Sequence, residues 1–251
     1  MRLVTKALVL NRFEVGESDL LVVLLSPKWG RFAVMAKGAR RSKRRFVNAL
    51  EPFTVFRAHI RGNRPGLIPF LDQIDPLEYW EPLRQDPYRF VLASYATELT
   101  EAFARPQVGG NLFPLLCGFF DLLCQGGPPD LLKPALEIKL LCLSGFAPEL
   151  SRCVRCQRPR PLRGFSLEEG GGVCGYCLRE SDTSISPQVL SLLKTLEKYP
   201  LSKLERICVP KDRLKIGSSL LENFLVRILG HDLKSLRIWK EIKGGEIGEQ
   251  T

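Results

Sequence analysis

Histidine is scarce in this sequence, with two residues in 251, His59 and His231. His59 lies in an alternating stretch and His231 follows Gly230 at an expected helix end. Neither opens an H-E-x-x-H motif, so that zinc-hydrolase class is excluded. No G-x-x-x-x-G-K-[ST] loop is present, and the glycines at 170–175 form a turn beside cysteines instead of a phosphate cradle, which argues against nucleotide hydrolysis. Asp72 and Asp75 stand three apart, as a magnesium pair would, but a turn after a strand accounts for them equally well. No enzyme is expected. No apolar run reaches the ~18 residues a membrane span needs, and the opening apolar stretch breaks at Asn11-Arg12 before a signal-peptide core forms. A cytoplasmic protein is expected, with no membrane partner.

Acids are missing from one place in particular. Residues 28–64 hold eleven Lys and Arg against a single acid, Glu51, which equals the formal charge of the whole chain, +10; the remainder holds 26 residues of each sign and is neutral. A local excess of this kind points to a polyanion, since a merely soluble loop mixes signs. The densest part is Arg40-Arg-Ser-Lys-Arg-Arg45, with Lys28, Arg31 and Lys37 before it and Arg57, Arg61 and Arg64 after it. Such cations follow a phosphate backbone without reading sequence. Phe32, Phe46, Phe53 and Phe56 interleave with them and are candidates for base stacking, although alternating aromatics in strands more often form core.

Apolar residues at 45% and charged residues at 25% exclude a disordered, fibrous or membrane-embedded chain. Residues 1–80 read as sheet: Arg2–Leu10, Asp19–Ser26, Arg31–Ala36, Pro52–Ile60 and Gly66–Leu71 are short Val/Leu/Phe-rich runs parted by polar or Gly/Pro turns. Five short strands suggest an OB-like β-barrel, which strand count alone does not separate from an SH3-like one. The period then changes. Pro87–Ala104, Leu112–Cys124 and Leu131–Ser144 are helical, with Leu132, Leu136, Leu140 and Leu143 forming one stripe, and their apolar faces are expected in the core, with a groove for a partner peptide as the less common use. Ser186-Pro187 caps a helix over Pro187–Glu197, and Ile216–Leu229 and Asp232–Ile242 are further candidates, with a frayed tail from Lys243. The expected fold is therefore multidomain α and β: a nucleic-acid-binding domain at 1–80, and a mostly helical domain at 81–251 with a cysteine module inserted at 153–177.

That module is the most specific constellation. Cys153-Val-Arg-Cys156 and Cys174-Gly-Tyr-Cys177 are C-x-x-C pairs separated by 17 residues. Each pair directs two sulfurs at one ion, and two pairs complete a tetrahedron. One structural zinc ion is expected; a redox pair, an iron–sulfur cluster and unrelated thiols remain as alternatives. Four thiolates leave no open position for water, so catalytic zinc is a poor reading. Gly175 suits a knuckle that needs positive φ. The other cysteines, Cys117, Cys124, Cys142 and Cys208, lie in apolar stretches.

The motifs Lys6-Ala-Leu-Val-Leu10, Gly16-Glu-Ser-Asp19, Lys37-Gly-Ala-Arg-Arg41, Leu50-Glu-Pro-Phe53, Tyr95-Ala-Thr-Glu-Leu99 and Leu143-Ser-Gly-Phe-Ala-Pro148, the last leading into Cys153, run over nearly the full length. Together they resemble the RecO family of bacterial DNA repair proteins. The resemblance implies an amino-terminal OB fold, a helical body and a zinc module. It further implies binding of single- and double-stranded DNA, annealing of complementary strands, and cooperation with RecR to help RecA displace single-stranded DNA-binding protein, in the cytoplasm at the nucleoid. The family's DNA-binding surface maps to Lys37, Arg40, Arg41, Lys43, Arg44 and Arg45, and its zinc ligands to Cys153, Cys156, Cys174 and Cys177; Arg57, Arg61 and Arg64 are added on charge alone. Some members of the family lack the cysteine pairs. An RNA-binding or translation-associated protein, or a scaffold gripping an acidic partner tail, uses the same electrostatics.

Overall fold

The computed structural model describes residues 2–42, 45–46, 49–62, 66–106 and 110–248. The chain forms two compact units, residues 1–124 with 238–251, and residues 125–237.

The first unit opens with β1 (Arg2–Val15), β2 (Asp19–Ser26) and β3 (Gly30–Ala36), followed by a 3₁₀ turn at Ala39–Arg41 and then β4 (Thr54–Arg61) and β5 (Phe70–Tyr79). β1 is long enough to serve two neighbours: its first half pairs antiparallel with β4, its second half with β2, and a register shift between Val9 and Asn11 bends it between the two. The polar Asn11-Arg12 does not end the strand, as the sequence suggested; β1 runs on to a turn at Gly16, whose φ of 59° suits glycine. Inward side chains Ala7, Val9, Val22, Leu24, Val34, Phe56, Ala58, Ile60 and Ile74 fill the interior, joined by Phe46 and Leu50 from the basic loop.

The expectation of an OB-like barrel followed by a mostly helical domain needs correction. The strand order β1-β2-β3-β5-β4 returns to β1, but the β3–β5 seam is one parallel pair, Met35 opposite Phe70, with Met35 N–H donating to Pro69 O at 2.8 Å. The amino-terminal end of β3 is instead covered from later in the chain: Arg31 N–H donates to Arg105 O at 3.2 Å and Gly30 bridges Pro106. The sheet is thus a mixed one with a thin, covered seam. Its fifth strand spans 70–79 and not 66–71, accommodating Pro76 next to a register shift.

Helices α1 (Glu81–Gln85), α2 (Pro87–Phe103) and α3 (Leu112–Cys124) belong to the same compact unit as the sheet. Asp86 caps α2 by accepting from the Tyr88 and Arg89 amides at 2.9 and 3.1 Å. Phe53, fully buried and held at φ 59°, meets Phe90 and Phe120 edge-on, and Trp80 also meets Phe120 edge-on while donating to Asp121 at 2.7 Å. Arg84 closes the joint by donating to Pro52 O at 2.6 Å and Thr54 Oγ1 at 2.9 Å. The Leu50–Phe53 motif is therefore a structural hinge pin between sheet and helices.

The second unit holds α4 (Pro129–Leu143), the strands β6 (Leu162–Ser166), β7 (Gly171–Cys174) and β8 (Thr183–Ser184), then α5 (Pro187–Lys198) and α6 (Lys211–Leu229). The last helix, α7 (Lys234–Gly248), runs past the expected end at Ile242. Ser186 caps α5 by accepting from the Val189 amide, and Gly230 ends α6 at φ 75°. α4 is buried nearly all round, and Lys133 on it is inserted between carboxylates: its Nζ donates to Glu137 Oε1 at 2.6 Å and to Glu222 Oε1 of α6 at 2.7 Å. Among the described residues no helix is long and apolar enough to cross a membrane.

Candidate nucleic-acid interface and metal centre

The basic segment leaves β3 at Lys37-Gly38, and the turn between β1 and β2 pins it. Asp19 Oδ1 accepts from the Gly38 amide at 2.8 Å, and the Arg40 amide donates to Ser18 O at 3.0 Å. The Gly38 amide first, and then the Ser18 hydroxyl, hold the Asp19 carboxyl below the usual carboxylate range. Gly38 takes φ 65°, which the turn into Ala39–Arg41 requires. The motifs Gly16–Asp19 and Lys37–Arg41, separate in sequence, are thus one hydrogen-bonded corner.

The cations of that corner stay at the surface. Arg40 pairs with Glu14 at 3.1 Å, and Arg41 pairs with Glu17 at 3.0 Å while its side chain remains 69% exposed. Arg45 donates to Lys37 O at 3.0 Å with its guanidinium over Phe46, and Lys37 Nζ lies 4.7 Å from the Phe70 ring centroid. Arg57 is exposed on β4, and Arg61 pairs with Asp72 at 3.2 Å. Lys43, Arg44 and Arg64 lie outside the described residues. A count confined to residues 28–64 misses acids supplied from elsewhere, Glu14 on β1, Glu17 in the β1–β2 turn and Asp72 on β5, which strand pairing brings alongside. Exposed pairs of this type are weak, about 0–1 kcal/mol each, so a phosphate competes readily for the arginine. Beside the corner lies a concavity of about 500 Å³ lined by Arg12, Glu14, Arg40, Ser42, Phe46 and Glu51.

Of the four phenylalanines, Phe46, Phe53 and Phe56 are buried, and Phe32 packs edge-on against Trp29. The buried three are core and offer no face to a base. The two aspartates considered for magnesium are taken up separately, Asp72 by Arg61 and Asp75 by His59 at 2.7 Å.

The four paired cysteines converge in the second unit. Their Sγ atoms all lie within 4.8 Å of one another, and Cys156 and Cys174 are 3.9 Å apart. A tetrahedron with metal–sulfur bonds of ~2.3 Å has edges of ~3.8 Å, whereas a disulfide would need ~2.05 Å. The donors also compete for charge. Burial pushes the Cys153 thiol up, but amides of Cys156, Cys174 and Arg155 outweigh it and bring it down to about 6. Cys177 is pushed up to about 12, first by its hydrogen bond with Cys174 and then by burial. Cationic charge at the centre of the four sulfurs would let all of them ionise, so the donor set fits a divalent metal.

Local backbone makes this possible. Gly170 N–H donates to Ser166 O in a tight turn at φ 71°, and β7 runs so close to Glu149–Val154 that a methyl on Gly171 would stand 2.7 Å from Glu149 O and 2.5 Å from Val154 Cγ1. The positive φ of the first knuckle falls on Gln157, not on Gly175 as the sequence suggested. Sequence reasoning also missed Arg155. Inside the first C-x-x-C pair, it reaches across to Asp182 with two hydrogen bonds at 2.6 and 2.9 Å and to Glu169 at 2.8 Å. The arginine holds the Asp182 carboxyl below its usual range. The remaining cysteines are unlike these four: burial drives Cys117 up to about 12, and Cys208, read as part of an apolar stretch, is exposed.

Residues 1–80 match the family described as Recombination protein O N terminal, and residues 84–237 match Recombination protein O C terminal. The chain belongs to the RecO family. It is 31% identical over 250 residues to DNA repair protein RecO of Syntrophus aciditrophicus, covering 95% of both chains. It is 34% identical over 249 residues to that of Myxococcus xanthus, covering 94% of this chain and 96% of the relative. The RecO protein of Pelotomaculum thermopropionicum is 33% identical over 238 residues, 91% of this chain and 90% of the relative. Membership in the RecO family carries a general role in DNA repair and recombination.

Proposed function

We propose that this RecO-family chain is a non-enzymatic recombination mediator. It binds single- and double-stranded DNA, anneals complementary strands, and works with RecR to load RecA onto DNA coated by single-stranded DNA-binding protein, in the cytoplasm at the nucleoid. The observation that carries the reading is the corner at Lys37–Arg41, where a hydrogen-bonded turn presents arginines whose only described carboxylate partners are exposed and weakly held. Annealing needs no bond chemistry: cations offset the repulsion between two polyanions, and base pairing supplies the specificity. Lys43, Arg44, Arg57, Arg61 and Arg64 are assigned to the same role. Cys153, Cys156, Cys174 and Cys177 hold one structural zinc ion, which when bound ties the two knuckles together.

The test is annealing of complementary strands coated with single-stranded DNA-binding protein. Neutralising Arg40, Arg41, Lys43, Arg44 and Arg45 to glutamine should slow annealing and lower the salt slope of DNA binding, by ~0.7 on single strands for each phosphate that the variant no longer neutralises. Unchanged annealing and an unchanged slope would refute the placement.

A further inference from the structure

The cysteine module carries a second group of cations that the basic segment does not explain. Residues 152–163 contain five arginines and no acid. Two of them are engaged, Arg152 by Glu149 at 3.2 Å and Arg155 by Asp182 and Glu169. Arg158, Arg160 and Arg163 have no ion pair among the described residues, and Arg158 and Arg163 are exposed. Next to them stands the large hydrophobic side chain most open to solvent among the described residues, Tyr176 at 86%. It projects from the second knuckle, between Cys174 and Cys177.

These groups are assembled, not scattered. The Arg160 guanidinium lies 4.5 Å from the Tyr176 ring centroid. β6 and β7 pair Leu162 with Cys174, and the stem of Arg163 passes Gly175 so closely that a methyl there would stand 3.6 Å from Arg163 Cγ. The ring is therefore covered by one arginine, and a second stands beside the residue before it, next to the β6–β7 strand pair of the three-stranded sheet. Nothing in the packing of the module requires this: the tyrosine buries little surface, and a polar residue would serve a bare knuckle equally well. With the tyrosine so open, Arg160 covers at most one face, leaving the other for a planar ligand.

The geometry points to a single-stranded DNA contact on the cysteine module, with a base stacked on Tyr176 and adjacent phosphates on Arg160 and Arg163. An unpaired base offers the free π-face that a duplex keeps inside its stack, so single strands are the form that fits. The choice of DNA rests on the mediator reading; the stacking chemistry does not.

The experiment uses the full chain, loaded with zinc, and measures anisotropy of a labelled oligothymidylate of ~16 nucleotides, the upper end of a single-fold site size, beside a blunt duplex. Tyr176→Ser should weaken oligothymidylate binding about tenfold and duplex binding less than about twofold, with Tyr176→Phe close to the parent. Arg160→Gln with Arg163→Gln should lower the salt slope on single strands by about 1.4, the value for two phosphates. Metal content and thiol reactivity, unchanged in all three, show the module intact. Unchanged oligothymidylate affinity in Tyr176→Ser overturns the inference, as does an equal loss in Tyr176→Phe. Loss of polyglutamate binding without loss of DNA binding would make the patch a site for acidic peptides and overturn it as well. The five-residue neutralisation at Arg40–Arg45 separates the two ideas: if it abolishes DNA binding and the Tyr176 variants do not, the mediator reading stands and this inference fails. The opposite pattern fails the loop and keeps the knuckle.

Discussion

Replacing Lys133 with methionine removes the cation from a buried cluster. Its side chain is 3% exposed, that of Glu137 is fully buried and that of Glu222 is 13% exposed, so water contributes little to either charge. Burial alone pulls the lysine pKa down, but Glu137 and Glu222 outweigh it and hold the group above its ordinary 10.5. A raised lysine pKa contributes stability that is complete below that value and is lost as pH climbs through the folded pKa, so at neutral pH the whole contribution is in place. Removing one member of a buried ion cluster costs about 3–5 kcal/mol, roughly two to four orders of magnitude in the folding constant and a large part of a typical 5–15 kcal/mol total. In Lys133→Met the Glu137 carboxyl, now beside Glu222 without that cation, shifts upward. The variant should therefore lose least near pH 5 and most at pH 7 and above. Urea unfolding followed by circular dichroism at pH 5, 7 and 8 reads this directly, and Lys133→Met with Glu137→Met should recover part of the loss, because the fully buried carboxylate leaves with the cation and only the partly exposed Glu222 stays without it. A single variant within about 0.5 kcal/mol of the parent at pH 7, or a double variant less stable than the single, contradicts the assignment of energy to charge burial.

Other expectations concern the cysteine module. Asp182→Asn removes the charge that receives Arg155 in two hydrogen bonds, and should cost about 1.5–3 kcal/mol of local stability. Because the Asp182 pKa is lowered in the fold, the parent's advantage should be complete above the unfolded carboxylate value of ~3.9 and decline as pH falls from there through the lower folded value; a constant difference from pH 7 to pH 2.5 would contradict this. Gly171→Ala puts a methyl against the Glu149 carbonyl, a backbone atom that cannot rotate away, so the variant should release metal to a chelator faster than the parent. Equal release rates would show that the strand and the 149–154 segment separate without consequence.

The convergence of the cysteine pairs was readable because two C-x-x-C turns aimed at one point leave a fixed spacing in the sequence, and α2 and α3 because long 3.6-residue periods persist through changes of neighbour. Ser186-Pro187 marked the start of α5 for the same local reason: a hydroxyl cap and a fixed φ act within four residues. β5 was misplaced because Pro76 reads as a breaker, although a proline next to a register shift costs the ladder little. α6 begins five residues before Ile216 because its first turn, Lys211-Asp212-Arg213, is solvent-facing and carries no apolar stripe. The ion partners of Arg40, Arg41 and Arg61, and the reach of Arg155 to Asp182, depend on which strands and knuckles lie side by side. That information resides in tertiary register, which composition counted along the chain averages away.

The coverage of β3 by Arg105 and Pro106 has a consequence for dissecting this molecule. Cutting after residue 80 would strip that protective segment from the strand and leave Phe53 without Phe90 and Phe120. The excised fragment would leave the Arg31 amide at the margin of β3 without its acceptor and uncover the apolar surface around Phe53, a place at which chains meet one another. Such a fragment should self-associate, while one that continues through Cys124 keeps the margin sheathed.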